Sequence, residues 1–152
     1  MLMTIKKFFE QKILIENPVN TEYRLKLASA SLMIEIMRQD GKSKDEEIEV
    51  VKNTLQARFK LDEAETDKLF ALATEEAKQA VDLYQFTSLI HKHFSQEDKI
   101  RIIENLWTVA FADNELDPHE EHLIRRIADL LYVSHSDFIK TRHKVQKALG
   151  KS

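Results

Sequence analysis

The fold is decided by a stretch in which two helices meet at an acidic bend, Phe111-Ala112-Asp113-Asn114-Glu115-Leu116-Asp117-Pro118-His119-Glu120-Glu121-His122-Leu123. A weaker copy comes earlier in the chain, Gln39-Asp40-Gly41-Lys42-Ser43-Lys44-Asp45-Glu46-Glu47-Ile48. Asp113 follows Asp40 by 73 positions (113 − 40), and Glu120 follows Glu47 by the same distance. Because the apolar residues around both bends keep this offset, the pattern indicates a duplicated two-helix unit.

The composition favours an all-helical globular protein. Of 152 residues, 43% are hydrophobic, 32% are charged, and only two are glycine and two proline, which leaves few breaks for the turns of a sheet. The net charge of −3 does not produce the positive electrostatic field that nucleic-acid binding requires. The lack of cysteine excludes disulfides and thiolate chemistry. No apolar run approaches the roughly 18 residues of a membrane span, and charges interrupt the start of the chain too soon for a signal peptide. We therefore expect a cytoplasmic protein without stable membrane insertion.

Apolar residues recur at helical spacing along most of the chain. We predict a short helix over 4–15, a break at 17–20, two repeat copies at about 21–80 and 95–148, and a joining helix near 82–94. We predict that the polar segment 74–78 is solvated. We predict that Trp107 lies in the core. Cap-like sequences open the helices at Ser43, Asp62, Asp82, Ser95, Asp117 and Ser134.

Neither copy presents a closed core alone, so the two are expected to pack face to face. The predicted fold is a single all-α domain over 1–152, a helical bundle of about seven to eight helices with an internal twofold repeat. Residues 1–20 form its N-terminal helix and linker. The helix over 4–15 could dock on the bundle, or it could anchor the protein on a membrane surface or a partner.

The two bends hold equivalent acids, Asp40 with Glu47 and Asp113 with Glu120. If the twofold brings the bends together, these four carboxylates could share a hard divalent cation, Ca²⁺ or Mg²⁺. The alternative is helix capping, since acids in a first turn satisfy backbone N–H groups and are favoured by the helix dipole. The spacing is not that of an EF-hand loop, because Pro118 and Ile124 occupy the positions of the required Gly and Glu.

Other chemistry has weaker support in the sequence. His119 and His122 lie three positions apart beside Glu120, which permits zinc or a metal-dependent hydrolase, although the spacing is not that of zinc proteases. No phosphate-binding loop is present, because the only glycines are Gly41 and Gly150. The last helix is basic, with Lys140, Arg142, His143, Lys144, Lys147 and Lys151. This pattern is typical of a solvated face, and it could also contact an acidic partner or nucleic acid.

The segment Ala112-Asp113-Asn114-Glu115-Leu116-Asp117-Pro118-His119-Glu120 and its echo from Asp40 to Glu47 resemble the duplicated Ala-Asp-Gly-x-Leu-x-x-x-Glu signature of the TerB-like family. This family includes the tellurite-resistance protein TerB and the N-terminal domain of the DnaJ-like co-chaperone DjlA. The continuation from Ile124 to Ile139 resembles an uncharacterised bacterial branch, and the likeness covers about 21–145. The first copy departs from the signature at Gln39 and Ser43, and Asn114 replaces a glycine but tolerates a left-handed backbone.

The resemblance implies a bacterial, cytoplasmic helical bundle linked to tellurite and other stress. It also implies divalent-metal binding through acids matching Asp40, Glu47, Asp113 and Glu120. Our leading hypothesis is a non-enzymatic module of this kind that senses metal or binds an unidentified protein partner. The alternatives are a metal-free adaptor of the co-chaperone type and a hydrolase built on His119, His122 and Glu120; whether the chain forms a homodimer stays open.

Overall fold

The computed structural model of the chain describes residues 18–40, 45–112 and 116–150. The predicted helix over 4–15 and the cap at Ser43 lie outside these residues. Within them the chain forms seven α-helices and no strand, which confirms the all-α prediction. The helices are α1 (Pro18–Met37), α2 (Asp45–Phe59), α3 (Glu63–Gln79), α4 (Tyr84–His93), α5 (Gln96–Ala110), α6 (Pro118–Leu130) and α7 (His135–Ala148), and a short 3₁₀ turn (Arg38–Asp40) follows α1.

The helices begin where the sequence places capping residues. Asp62 and Glu65 form a reciprocal capping box on α3, with N–H to carboxylate distances of 2.7 and 3.0 Å. Ser95 and Ser134 cap α5 and α7 by accepting from the backbone N–H three residues later. Asp82 accepts from the N–H of Tyr84, but α4 begins one residue later than expected, with Leu83 at the cap position.

Two local predictions are wrong. Residues 17–20 were expected to break the chain, but Pro18 is the first residue of α1, a position where the missing N–H of proline costs nothing. The segment 74–78 was expected to be solvated, but Glu76 and Ala77 are buried. Both lie on the same helical face as Leu69 and Ala73, so the apolar stripe of α3 continues through the polar segment.

The buried apolar side chains form one cluster that draws on both halves of the chain. Its largest fully buried members include Trp107, Phe86, Leu27, Leu32, Met33, Ile34, Ile103 and Leu106. Helices α1 and α5 contact each other directly, and most of these side chains belong to them. The two halves therefore bury a common core.

The helix contacts repeat at the 73-residue offset, which relates α1 to α5, α2 to α6, and α3 to α7. In the first repeat, α1 contacts α2 and α3, and in the second repeat α5 contacts α6 and α7 in the same way. The contact between α2 and α3 is likewise repeated between α6 and α7. The contact between α2 and α5 matches that between α6 and α1. Helix α4, which packs on α1 and α6, is the exception. Its counterpart at the same offset would be residues 11–20, mostly outside the described part of the chain.

Both repeats end their second helix with a non-glycine residue in the left-handed region. Lys60 after α2 has φ 54°, and Tyr132 after α6 has φ 58°. In each case the next N–H bonds back to a carbonyl five residues earlier, the Schellman arrangement in which glycine is the usual residue.

We expect Lys60→Gly to raise the free energy of unfolding by about 0.5–1 kcal/mol, because glycine adopts this backbone conformation without a Cβ clash. Urea denaturation measures the change. Lys60→Ala keeps the Cβ and is the matched control; an equal gain in both variants would show that the lysine side chain, and not the backbone, is responsible.

Candidate metal centre

Two of the four predicted carboxylates lie in the interior. Glu47 and Glu120 are the third residues of α2 and α6, and their exposed fractions are 1% and 2%. Each shares the inward face of its helix with core residues, Val51 and Leu55 in α2 and Ile124 and Ile127 in α6. Burying a carboxylate costs free energy unless hydrogen bonds, opposite charge or a metal ion offset the lost hydration. The position of these two side chains therefore separates them from ordinary surface acids.

The first bend lies beside the second half of the chain. The 3₁₀ turn Arg38–Asp40 contacts α6, the helix that carries Glu120. Asp113 and the side chain of Asp40 lie outside the described residues. The grouping of all four carboxylates therefore stays a prediction.

The second bend contains a capping contact. Asp117 is the N-cap of α6, and its carboxylate accepts from the N–H of His119 at 2.7 Å. Glu65, which does complete a capping box, is exposed, whereas Glu47 and Glu120 are buried. Burial thus distinguishes the two bend glutamates from the capping-box glutamate in the same chain.

The histidines do not join the buried glutamate. His119 and His122 are exposed, while Glu120 points into the interior. Across the described residues, no three His, Asp or Glu side chains are arranged to hold a metal ion. The zinc and hydrolase alternatives thus gain no support from the placement of their residues.

The basic last helix is partly neutralised by acids from other helices. Arg142 pairs with Glu121 of α6 at 2.6 Å, and Lys144 pairs with Glu104 of α5 at 2.8 Å. Lys140, His143 and Lys147 are exposed, so a basic strip remains on α7.

Sequence reasoning missed one buried acid, Glu76. Its exposed fraction is 6%, and the Gln85 side-chain amide donates to it at 2.7 Å. Burial raises the pKa of Glu76, and the hydrogen bond from Gln85 opposes this in part. The signal was the helical spacing of Thr66, Leu69, Ala73 and Glu76, which places the acid on the buried stripe of α3.

We expect Glu76→Gln to stabilise the protein at pH 7 and to have no such effect in acid. Because the folded pKa is raised, the folded state holds its proton more tightly, and stability is lost as pH rises from about 4.5 through the folded pKa. The neutral amide removes this loss and can still accept from Gln85. Urea denaturation at pH 4 and pH 7 tests the sign; exposed Glu49→Gln is the control, and a gain at pH 7 that persists unchanged at pH 4 would contradict the titration account.

A family model described as Tellurite resistance protein TerB matches residues 26–143. The match spans both acidic bends and most of the helical core. The chain belongs to the TerB family. No curated protein and no solved structure matches this TerB chain. Across its described residues, none of the helices combines the length and apolar character needed to cross a bilayer.

Proposed function

We propose that this TerB-family chain is a non-enzymatic helical module that binds a divalent cation, Ca²⁺ or Mg²⁺, between its two acidic bends. Asp40 and Glu47 would supply ligands from the first bend, and Asp113 and Glu120 from the second. The observation that carries the proposal is the burial of Glu47 and Glu120 at equivalent places in the two repeats. We further propose that cation binding serves a cytoplasmic response to tellurite or other chemical stress.

Hard cations suit this set of residues because Ca²⁺ and Mg²⁺ prefer carboxylate oxygens. The first helical turn also favours the ionised carboxylate through the positive end of the helix dipole. That positive end repels a cation, so a pair of acids from one bend is a weak site. Acids from both bends would supply enough negative charge, and the contact of the 3₁₀ turn with α6 supports their approach.

The test is calorimetric titration with Ca²⁺ and with Mg²⁺. We expect saturable binding by the natural chain and at least a tenfold loss of affinity in the double variant Asp113→Asn and Glu120→Gln. The matched control changes the exposed capping pair, Asp62→Asn and Glu65→Gln, which alters the net charge equally. Absence of binding heat, or equal loss in both variants, would remove the cation proposal.

The exposed basic strip of α7 favours a second candidate function, a metal-independent adaptor for an acidic protein. Lys140, His143 and Lys147 would contact the partner. Reversing Lys140 and Lys147 to Glu should then abolish capture of the partner in the presence of a chelator. Capture that requires Ca²⁺ and tolerates this reversal would favour the cation module instead.

A further inference from the structure

The two repeats carry opposite charge on equivalent surfaces. In the first repeat, α2 and α3 border an open cleft of about 440 Å³, here called the acidic cleft. Its charged lining residues are four exposed acids and one base, which give a net charge of −3: Asp45, Glu49, Glu63, Asp67 and Lys52. Asp67 pairs with Lys52 at 3.2 Å, while the other three acids have no basic partner within the described part of the chain. The acidic cleft therefore presents three uncompensated carboxylates to solvent.

The equivalent surface of the second repeat, here called the basic face, lies on α6 and α7. At the 73-residue offset, the nine residues that line the acidic cleft correspond to Pro118, Glu121, His122, Arg125, Arg126, Asp129, Ser136, Ile139 and Lys140. Three bases against two acids give this set a net charge of +1. Glu121 is in addition paired with Arg142 at 2.6 Å. The two equivalent surfaces thus differ by four charges, from −3 to +1.

One ion pair of the first repeat is replaced by two cations in the second. Lys52 and Asp67 attract each other, whereas Arg125 and Lys140 occupy the two equivalent positions. Both cations are exposed, and neither pairs with an acid among the residues that the structure describes. Neighbouring like charges repel each other, and an acidic surface brought against them relieves the repulsion. The basic face is therefore suited to an acidic partner.

The acidic cleft and the basic face do not neutralise each other inside one molecule. Helix α3 packs on α1 and α2, whereas α7 packs on α5 and α6. Over residues 18–40, 45–112 and 116–150, the ion pairs between helices join α2 to α3, α2 to α5, α5 to α7 and α6 to α7. None of these pairs joins the acidic cleft to the basic face, so both surfaces remain available to a second molecule.

We propose that the basic face of one molecule binds the acidic cleft of a second copy of this chain. Charge selects this head-to-tail contact, because two acidic clefts or two basic faces would repel each other. Since every molecule carries both surfaces, the contacts can continue into a chain or close into a ring. The inference rests on the adaptor candidate in its use of Lys140, and it deepens that candidate by naming the acidic partner. It does not use the carboxylates of the acidic bends.

The test is sedimentation equilibrium of the full chain in EDTA, which separates the result from any cation binding. In about 20 mM salt we expect the weight-average mass to rise with protein concentration, and in about 500 mM salt the dissociation constant should be about tenfold higher or more, because salt screens exposed charges. A chain that stays monomeric up to about 1 mM in low salt would overturn this inference. The adaptor candidate would survive that result, since its own test is the capture of another protein.

Complementary charge reversals identify the two surfaces. Arg126→Glu with Lys140→Glu changes the basic face from +1 to −3, and Glu49→Lys with Asp67→Lys changes the acidic cleft from −3 to +1. Each double variant alone should self-associate about tenfold more weakly or worse, because its two surfaces then have the same sign. An equimolar mixture should associate again, since the natural cleft of the first variant meets the natural face of the second.

Lys92→Glu with Arg101→Glu is the matched control. Both bases are exposed, lie on α4 and α5 outside the two surfaces, and change the net charge as much as reversal of Arg126 and Lys140 does. Their reversal should leave self-association unchanged, and circular dichroism checks that every variant is folded. Equal weakening in the control, full association of either reversed variant alone, or a mixture that stays monomeric would overturn the proposal.

Discussion

Trp107→Ala is expected to lower the free energy of unfolding by about 3–5 kcal/mol, the range for large aromatic truncations in a core. Trp107 has no exposed surface, stacks on Phe111 at a ring-centroid distance of 5.6 Å and contacts Phe138 at 5.3 Å. Its indole N–H donates to Thr141 at 3.2 Å, so the side chain joins α5 to α7 by packing and by a hydrogen bond. Urea denaturation of purified protein measures the loss.

Thr141→Val separates the hydrogen bond from the packing. The valine has nearly the same shape but cannot accept from the indole, so we expect a smaller loss of about 1–3 kcal/mol. The double variant Trp107→Phe and Thr141→Val leaves no donor unsatisfied. It should therefore largely recover the part of the free energy of unfolding that Thr141→Val loses through the broken hydrogen bond. A cost below about 1 kcal/mol for Trp107→Ala would contradict the assigned burial.

Phe86→Ala is the second large effect, again about 3–5 kcal/mol. Phe86 is 1% exposed and is the largest buried side chain of α4. Its removal should release α4 from α1 and α6, because the helix has only ten residues and only Thr87 and Ile90 remain buried within it. Hydrogen exchange should therefore accelerate through α4 in addition to the loss measured by urea.

Tyr84→Ala is the matched control in the same helix. Tyr84 is 67% exposed, so removal of its side chain should change stability by no more than about 0.5 kcal/mol. Similar losses for the two variants would contradict the role given to Phe86 in holding α4 on the core.

Much of the fold is predictable from the sequence because the local signals agree with the long-range pattern. The offset of 73 positions located the repeat, and the caps at Asp62, Ser95, Asp117 and Ser134 located four helix starts. Pro18 predicts a break because proline interrupts helices in their interior, but in the structure it is the first residue of α1. The burial of Glu76 was not predicted because its neighbours in the sequence are polar and the apolar stripe of α3 is therefore hard to follow through them.

The candidate sites were harder to predict for a physical reason. A glutamate in a first helical turn has the same sequence signature whether it caps the helix or points inward. Only burial separates Glu65 from Glu47 and Glu120.

Helix α1 contacts five of the other six described helices, drawn from both repeats. Neither repeat is therefore a separable folding unit: a fragment that ends between α3 and α4 would leave the α5-facing side of α1 in water. The two copies should unfold in one cooperative transition. Fragments that each hold one repeat should therefore fold only when they are mixed.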